Sequence, residues 1–167
     1  ILGHVECTVP AVRGPVSSYP SEASMSHVTT TVPLQADPND IIDYIAIVEN
    51  HPAFIGPLKS VENLSGSPKE AGTTWDWTFI MAGVEISGQA EALEYTPGVR
   101  YRYRTTSGII STFNYSVEVG DGGSMLTMDV EYAVPSSVAD KVGLAIVEQL
   151  NERTGANATE NIKIILE

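Results

Sequence analysis

From Lys59 onward apolar and polar residues alternate with a period of two, and this pattern runs to Ala133 with breaks only at turn signals. A period of two sends successive side chains to opposite faces of a strand, so each segment has one face to bury. Turn residues fall at Gly66-Ser67-Pro68, Ala82-Gly83, Pro97-Gly98, Gly108 and Gly120-Asp121-Gly122-Gly123, dividing the run into six consecutive strands. Short connections make neighbouring strands antiparallel, and a meander of that width needs a cover over its apolar face.

The register can be counted from the turns. Trp75, Trp77, Phe79 and Met81 share one face, while Thr74, Asp76 and Thr78 share the other. A two-residue turn at Ala82-Gly83 sets Met81 against Val84, Phe79 against Ile86, Trp77 against Gly88 and Trp75 against Ala90. Around Pro97-Gly98, Ala92 meets Tyr103 and Ala90 meets Thr105 inside, Glu91 meets Arg104 outside, and Glu94 falls on the inner parity opposite Tyr101. A three-residue turn at Gly108 sets Tyr103 against Tyr115 and Thr105 against Phe113. The glycine loop then sets Tyr115 against Met128 and Val117 against Leu126.

Upstream, His27 to Leu34 is β-branched and reads as a first strand. Asp37-Pro38-Asn39-Asp40 supplies an N-cap, a proline at the first helical position and acids in the first turn. Ile41, Ile42, Ile45 and Val48 recur at helical spacing until Asn50-His51-Pro52, and a short second helix is expected around Ala53 to Ile55. Downstream, Ser136 or Ser137 caps a long helix whose Val138, Val142, Ala145, Ile146, Gln149 and Leu150 form one stripe. This helix is the expected cover. Thr154-Gly155-Ala156-Asn157 offers a stop and a restart, so the helix either breaks there or bends through. Ile1 to Ser24 holds three prolines and no sustained period; it reads as a leader or arm beside one domain at 25–167.

Composition narrows the function classes. Nine Lys and Arg stand against 21 Asp and Glu, and the net charge of −12 repels nucleic acid and anionic membrane surfaces. The single cysteine, Cys7, excludes an internal disulfide and a cysteine-based zinc site, which fits a reducing compartment. No apolar run approaches the roughly 20 residues that cross a bilayer as a helix. A cytoplasmic location without membrane insertion is the expectation.

The order of strand, two short helices, six-stranded meander and long C-terminal helix is carried by HPAFIGPLKSVENL, AGTTWDWTFIMAG, EYTPGVRYRYR and VEYAVPSS, with the ending ENIKIILE. It resembles the START-like (SRPBCC, Bet v 1-like) superfamily, and within it the bacterial polyketide cyclase/dehydrase and lipid-transport group, over about Ser26 to Glu167. The resemblance implies an α+β helix-grip fold: a curved antiparallel seven-stranded sheet wrapped around a long C-terminal helix, with two short helices between strands 1 and 2. It also implies a cavity between sheet and helix. Carriers, aromatase/cyclases, ligand sensors, a dehydrogenase accessory subunit and co-chaperones share that fold, so function must be argued from the site.

Candidate cavity walls are the inward residues Trp75, Trp77, Phe79, Tyr101, Tyr103, Phe113, Tyr115, Met128 and Tyr132, a mixture of ring surface and hydroxyls that suits a ligand pocket and equally an ordinary core. Candidate proton-transfer groups are Tyr103, Tyr115, Glu94 and His51. Glu94 would be the one inward carboxylate of the meander, and a histidine has the unperturbed pKa for either role. A structural histidine in a helix-helix turn and a carboxylate at the rim are the competing readings. Arg100, Arg102 and Arg104 share the outer face and read as salt-paired. No metal-binding histidine spacing and no nucleophile elbow occur, so no metal and no cofactor are expected. Three functions remain: binding of a small hydrophobic molecule (lipid, polyketide or aromatic), a cyclase/dehydrase-like reaction in the same cavity, or an accessory, chaperone-like role.

Overall fold

The computed structural model describes residues 25–167; the expected leader lies outside the described residues. The chain runs β1 (Met25–Leu34), α1 (Pro38–Ala46), a 3-10 turn (Val48–Asn50), α2 (His51–Phe54), β2 (Leu58–Ser65), β3 (Thr74–Met81), β4 (Val84–Thr96), β5 (Arg100–Thr105), β6 (Ser111–Gly120), β7 (Gly123–Ala133), α3 (Ser136–Val142) and α4 (Leu144–Leu166). One antiparallel sheet has the order β1-β7-β6-β5-β4-β3-β2, so the first strand closes beside the last. This is the helix-grip arrangement expected from the sequence, with α2 starting two residues earlier than Ala53.

The helix α1 starts where its cap dictates: the Asp37 carboxylate accepts the Asn39 N–H at 2.8 Å, and Pro38 occupies the first turn. Nine residues are too few for a stable isolated helix, so packing must hold it. Ile41, Ile42, Ile45 and Phe54 are fully buried, each stabilising by about 2 kcal/mol, and α1 packs against β5 and β6. Asp43 adds a polar tie: its two oxygens accept the Tyr95 hydroxyl of β4 and, at 3.0 Å, the Lys69 ammonium of the β2–β3 loop. The Tyr95 hydrogen bond holds the Asp43 carboxyl below the usual carboxylate range against an opposing effect of burial, and Lys69 adds to the lowering.

Across β3, β4 and the β6–β7 loop the pairings are those counted from the turns, Trp77 facing Gly88 and Tyr115 facing Met128 among them. Two pairings differ. Leu93 is an extra residue in β4, a bulge between Ala92 and Glu94 that reverses the parity beyond it. Glu94 therefore pairs with Arg102 on the outer face, and Tyr95 takes the inner position opposite Tyr101. The Glu94 carboxylate accepts the Thr96 hydroxyl at 3.1 Å and stands 3.8 Å from the Arg102 guanidinium. The inward carboxylate expected from simple alternation is not there.

The second difference is at Gly108. The connection spans 106–110, and Tyr103 pairs with Phe113, Thr105 with Ser111 and Tyr101 with Tyr115, a slip of two residues that keeps every side chain on its expected face. The Thr105 hydroxyl stabilises the longer loop from within, donating to the Ile109 carbonyl and accepting the Ser111 N–H at 2.7 Å. Ile109 is thereby drawn into the core.

The C-terminal cover also differs from the expected stripe. Its break is at Gly143 (φ 93°), which separates α3 from α4, and α4 then runs unbroken through Thr154-Gly155-Ala156-Asn157. Restarting the helix changes its phase, so Val147, Gly155, Ala158 and Ile162 face inward while Ile146 and Leu150 are exposed. Gly155 serves close approach rather than termination: a Cβ there would lie 2.8 Å from Val28 Cγ1 and 3.1 Å from Met128 Cε.

Gly88 allows a similar approach inside the sheet. The β5–β6 loop folds over β4, with Thr106 N–H bonded to the Gln89 carbonyl at 2.7 Å, and a Cβ on Gly88 would stand 2.1 Å from the Ser107 carbonyl oxygen and 2.6 Å from the Trp77 ring. Gly88→Ala is expected to destabilise the domain by roughly 1 to 3 kcal/mol through that backbone overlap. An unchanged urea midpoint would mean that the loop does not lie over β4.

Candidate functional site

The helix α4 packs mainly on β1, with further contact to β7 and α2. The concave face of β3 to β6 is therefore left partly uncovered, and a cavity of about 110 Å³ lies there. Trp75, Trp77, Phe79 and Met81 of β3 form one wall, Tyr103 and Phe113 the floor, and Met128, Val130 and Tyr132 the far side. The helix contributes Asn151, Thr154, Gly155 and Ala158. Leu58, Phe79, Asn151 and Thr154 are half-buried and mark the mouth between β2–β3 and α4.

Cross-strand registry explains why these side chains meet. One row across the inner face reads Ser26, Tyr132, Ser111, Thr105, Ala90 and Trp75; the next reads Val28, Val130, Phe113, Tyr103 and Ala92. Tyr103 and Phe113 stack with ring centroids 4.5 Å apart, and Trp75 meets the Tyr103 ring at 5.4 Å in an edge-on contact. The third row holds Tyr115 and Tyr101, and this row is covered by α1 and α2.

Seven of the nine expected wall residues, Trp75, Trp77, Phe79, Tyr103, Phe113, Met128 and Tyr132, thus border the cavity. Tyr101 and Tyr115 do not; they are buried beneath the two short helices, Tyr115 with Phe54 at 6.4 Å. Of the proton-transfer candidates, Tyr103 and His51 reach the cavity, whereas Tyr115 and Glu94 do not. Sequence reasoning missed eight wall residues outside α4, among them Val28, Met81, Thr105, Ile109, Ser111 and Val130, as well as the four α4 residues. Inward parity was available for Thr105, but the α4 residues could not be found without the phase change at Gly143.

Burial sets the electrostatics of the wall. His51 is 1% exposed among the rings of Phe54, Trp75, Tyr101 and Tyr103, and burial lowers its pKa to about 4 against an opposing bond to the Ile45 carbonyl. Burial raises the Tyr103 phenol well above its ordinary value, and the neighbouring Tyr115 and Tyr101 phenols push the same way. Thr105 and Ser111 bond one another at 2.8 Å, so their hydroxyls are spent within the wall. The Trp77 indole N–H is buried without a hydrogen-bond partner among the described residues, at a cost of about 1 to 3 kcal/mol if left so, while the Tyr132 hydroxyl lies beside the Asn151 and Ser26 side chains.

The residues matched by the family profile described as polyketide cyclase/dehydrase and lipid transport are 25–167, the whole described domain. The chain belongs to that family. Its fold is shared with the protein TTHA0849 from Thermus thermophilus (TM-score 0.72, 13% identity, 84% of this chain and 97% of that one). A START superfamily protein from Mycobacterium smegmatis superposes with a TM-score of 0.68 at 14% identity, over 84% of this chain and 96% of its own. The Zhui aromatase/cyclase from Streptomyces sp. R1128 gives 0.67 at 17% identity, over 85% and 93%. No curated protein matches the chain in sequence. At these identities the likeness shows the fold, and the chemistry of this family member must come from its own residues.

The buried histidine makes the domain acid-sensitive above the carboxylate range. The unfolded chain protonates His51 at about pH 6.5, while the native state resists protonation down to about 4. More protons are bound unfolded than folded across that window, so stability falls as pH falls, by on the order of 3 kcal/mol at its lower end. His51→Phe should flatten the slope of unfolding free energy between pH 6.5 and 4. Equal slopes in the two proteins would show that the ring is solvated.

Proposed function

We propose that this domain binds and carries a small, uncharged hydrophobic molecule in the cavity between the sheet and α4. The observation that carries this reading is the character of the wall: rings and aliphatic side chains, with the Thr105 and Ser111 hydroxyls bonded to one another and no group among the described cavity residues titrating near neutrality. Such a surface favours an apolar occupant through burial alone, on the order of 25 cal/mol per Å² removed from water. A general acid or base works best with a pKa near the working pH, and His51 at about 4 and a Tyr103 phenol raised by burial both lie far from it. A carrier therefore fits these residues better than a cyclase/dehydrase-like enzyme. Family membership supports either.

The cavity volume limits the occupant. An engineered apolar cavity of about 150 Å³ in another protein holds one benzene ring. At about 110 Å³ this cavity takes a single ring or a slender chain after small side-chain shifts, and a larger lipid or polyketide requires α4 to move away from β3.

Native mass spectrometry of the purified protein should show a small-molecule adduct that denaturation releases. Ala158→Leu, which projects three added carbons from α4 into the cavity, should abolish that adduct while leaving cooperative unfolding intact. An adduct that persists in Ala158→Leu would place the ligand elsewhere, and conversion of the released molecule on incubation with fresh protein would establish the enzymatic reading instead.

A further inference from the structure

His51 has a place in the cavity wall that packing alone does not account for. It opens α2, is 1% exposed and stands 5.2 Å from the Tyr103 ring, with both residues bordering the cavity. Its Nε2 lies 2.8 Å from the Ile45 carbonyl oxygen, in the last turn of α1. A carbonyl can only accept, so Nε2 carries the proton. The neutral imidazole has one N–H, and Nδ1 therefore keeps its lone pair. The two ring nitrogens diverge, which turns Nδ1 away from the Ile45 carbonyl.

We propose that Nδ1 of His51 is the ligand's polar anchor: it accepts a hydrogen bond from a hydroxyl of the bound molecule and so selects neutral, hydroxyl-bearing ligands, phenols or alcohols, over hydrocarbons of the same shape. The inference rests on the cavity being the ligand site. The bond from Nε2 to Ile45 fixes both tautomer and ring orientation before any ligand arrives, so little conformational freedom is lost on binding. Of the neighbouring wall hydroxyls, Thr105 gives its hydrogen to the Ile109 carbonyl and accepts both the N–H and the hydroxyl of Ser111, so its lone pairs are filled. A carboxylate ligand is disfavoured: it has no hydrogen to give Nδ1, and no Lys or Arg lines the cavity among the described residues.

Phenol and toluene test this, since they differ only in a hydroxyl for a methyl. Each is titrated into the wild-type protein and His51→Phe, with the Met128 methyl and Trp77 indole NMR signals as reporters. Toluene reports on the cavity and the phenol-to-toluene affinity ratio reports on the anchor. That ratio is expected to be about 10-fold higher in the wild type, the worth of one buried hydrogen bond. A ratio equal in the two proteins overturns the anchor and leaves the cavity intact. Failure of both probes to bind removes the carrier reading and this inference with it. If His51→Phe does not fold, nitrogen NMR of the wild type decides: the unprotonated Nδ1 signal should move with phenol and stay still with toluene, and an Nδ1 that is protonated at the outset, or unmoved by phenol, overturns the proposal.

Discussion

The seating of α4 on β1 determines where the molecule is solid and where it is hollow. Gly155 brings the helix backbone against Val28 and Met128, and the buried Thr159 and Ile162 continue the same inward face toward the C-terminus. A helix pressed so closely to one side of a curved sheet cannot also touch the other. The concave face of β3 and β4 must then find another cover, and α1 and α2 supply it over the row of Tyr101 and Tyr115 and, through His51, at the edge of Trp75 and Tyr103. What remains uncovered is the surface of Trp75, Trp77 and Phe79, which becomes cavity wall because no described residue fills the space before it.

Much of this was legible in the chain because strand parity is a strong constraint. Trp77 opposite Gly88 followed from a two-residue turn, and the facing of every inner residue in β5, β6 and β7 survived a wrong loop length because the slip was two residues rather than one. Glu94 failed for the complementary reason: the bulge at Leu93 shifts parity by one, and nothing in EALEYT marks a bulge when no glycine is present. The helix side of the cavity was illegible. Two glycines, Gly143 and Gly155, are indistinguishable as letters, yet the first ends a helix at positive φ and the second lets one approach a sheet.

Polar groups are sorted between two environments, and the sorting separates stability from binding. Asp43 with Tyr95 and Lys69 lies near the surface, where hydrogen bonds favour the charged carboxylate and tie α1 to β4. His51, only eight positions further on, lies inside, where burial favours the neutral ring. Removing water from His51 is costly, and the Nε2–H bond to the Ile45 carbonyl at the end of α1 offsets only part of that cost, because Nδ1 gains no partner from it. The histidine thus serves the end of α1 through Nε2, and on the proposed reading it would serve the cavity through Nδ1.

The same reasoning extends to the other polar groups of the wall. The Tyr132 hydroxyl and Trp77 N–H can donate a hydrogen, whereas the lone pair of His51 Nδ1 can only accept one. On the proposed reading, a molecule in the cavity would meet an acceptor at His51, and the surrounding carbon surface would set its shape. Affinity in such a site comes mainly from the area of ring and aliphatic surface covered, with each polar contact adding about 1 kcal/mol. Selectivity has the opposite origin, since a ligand that lacks the matching polar atom leaves a buried group of the protein unpaired. The walls built by strand alternation thus set how tightly a molecule is held, and a few polar atoms set which molecule it is.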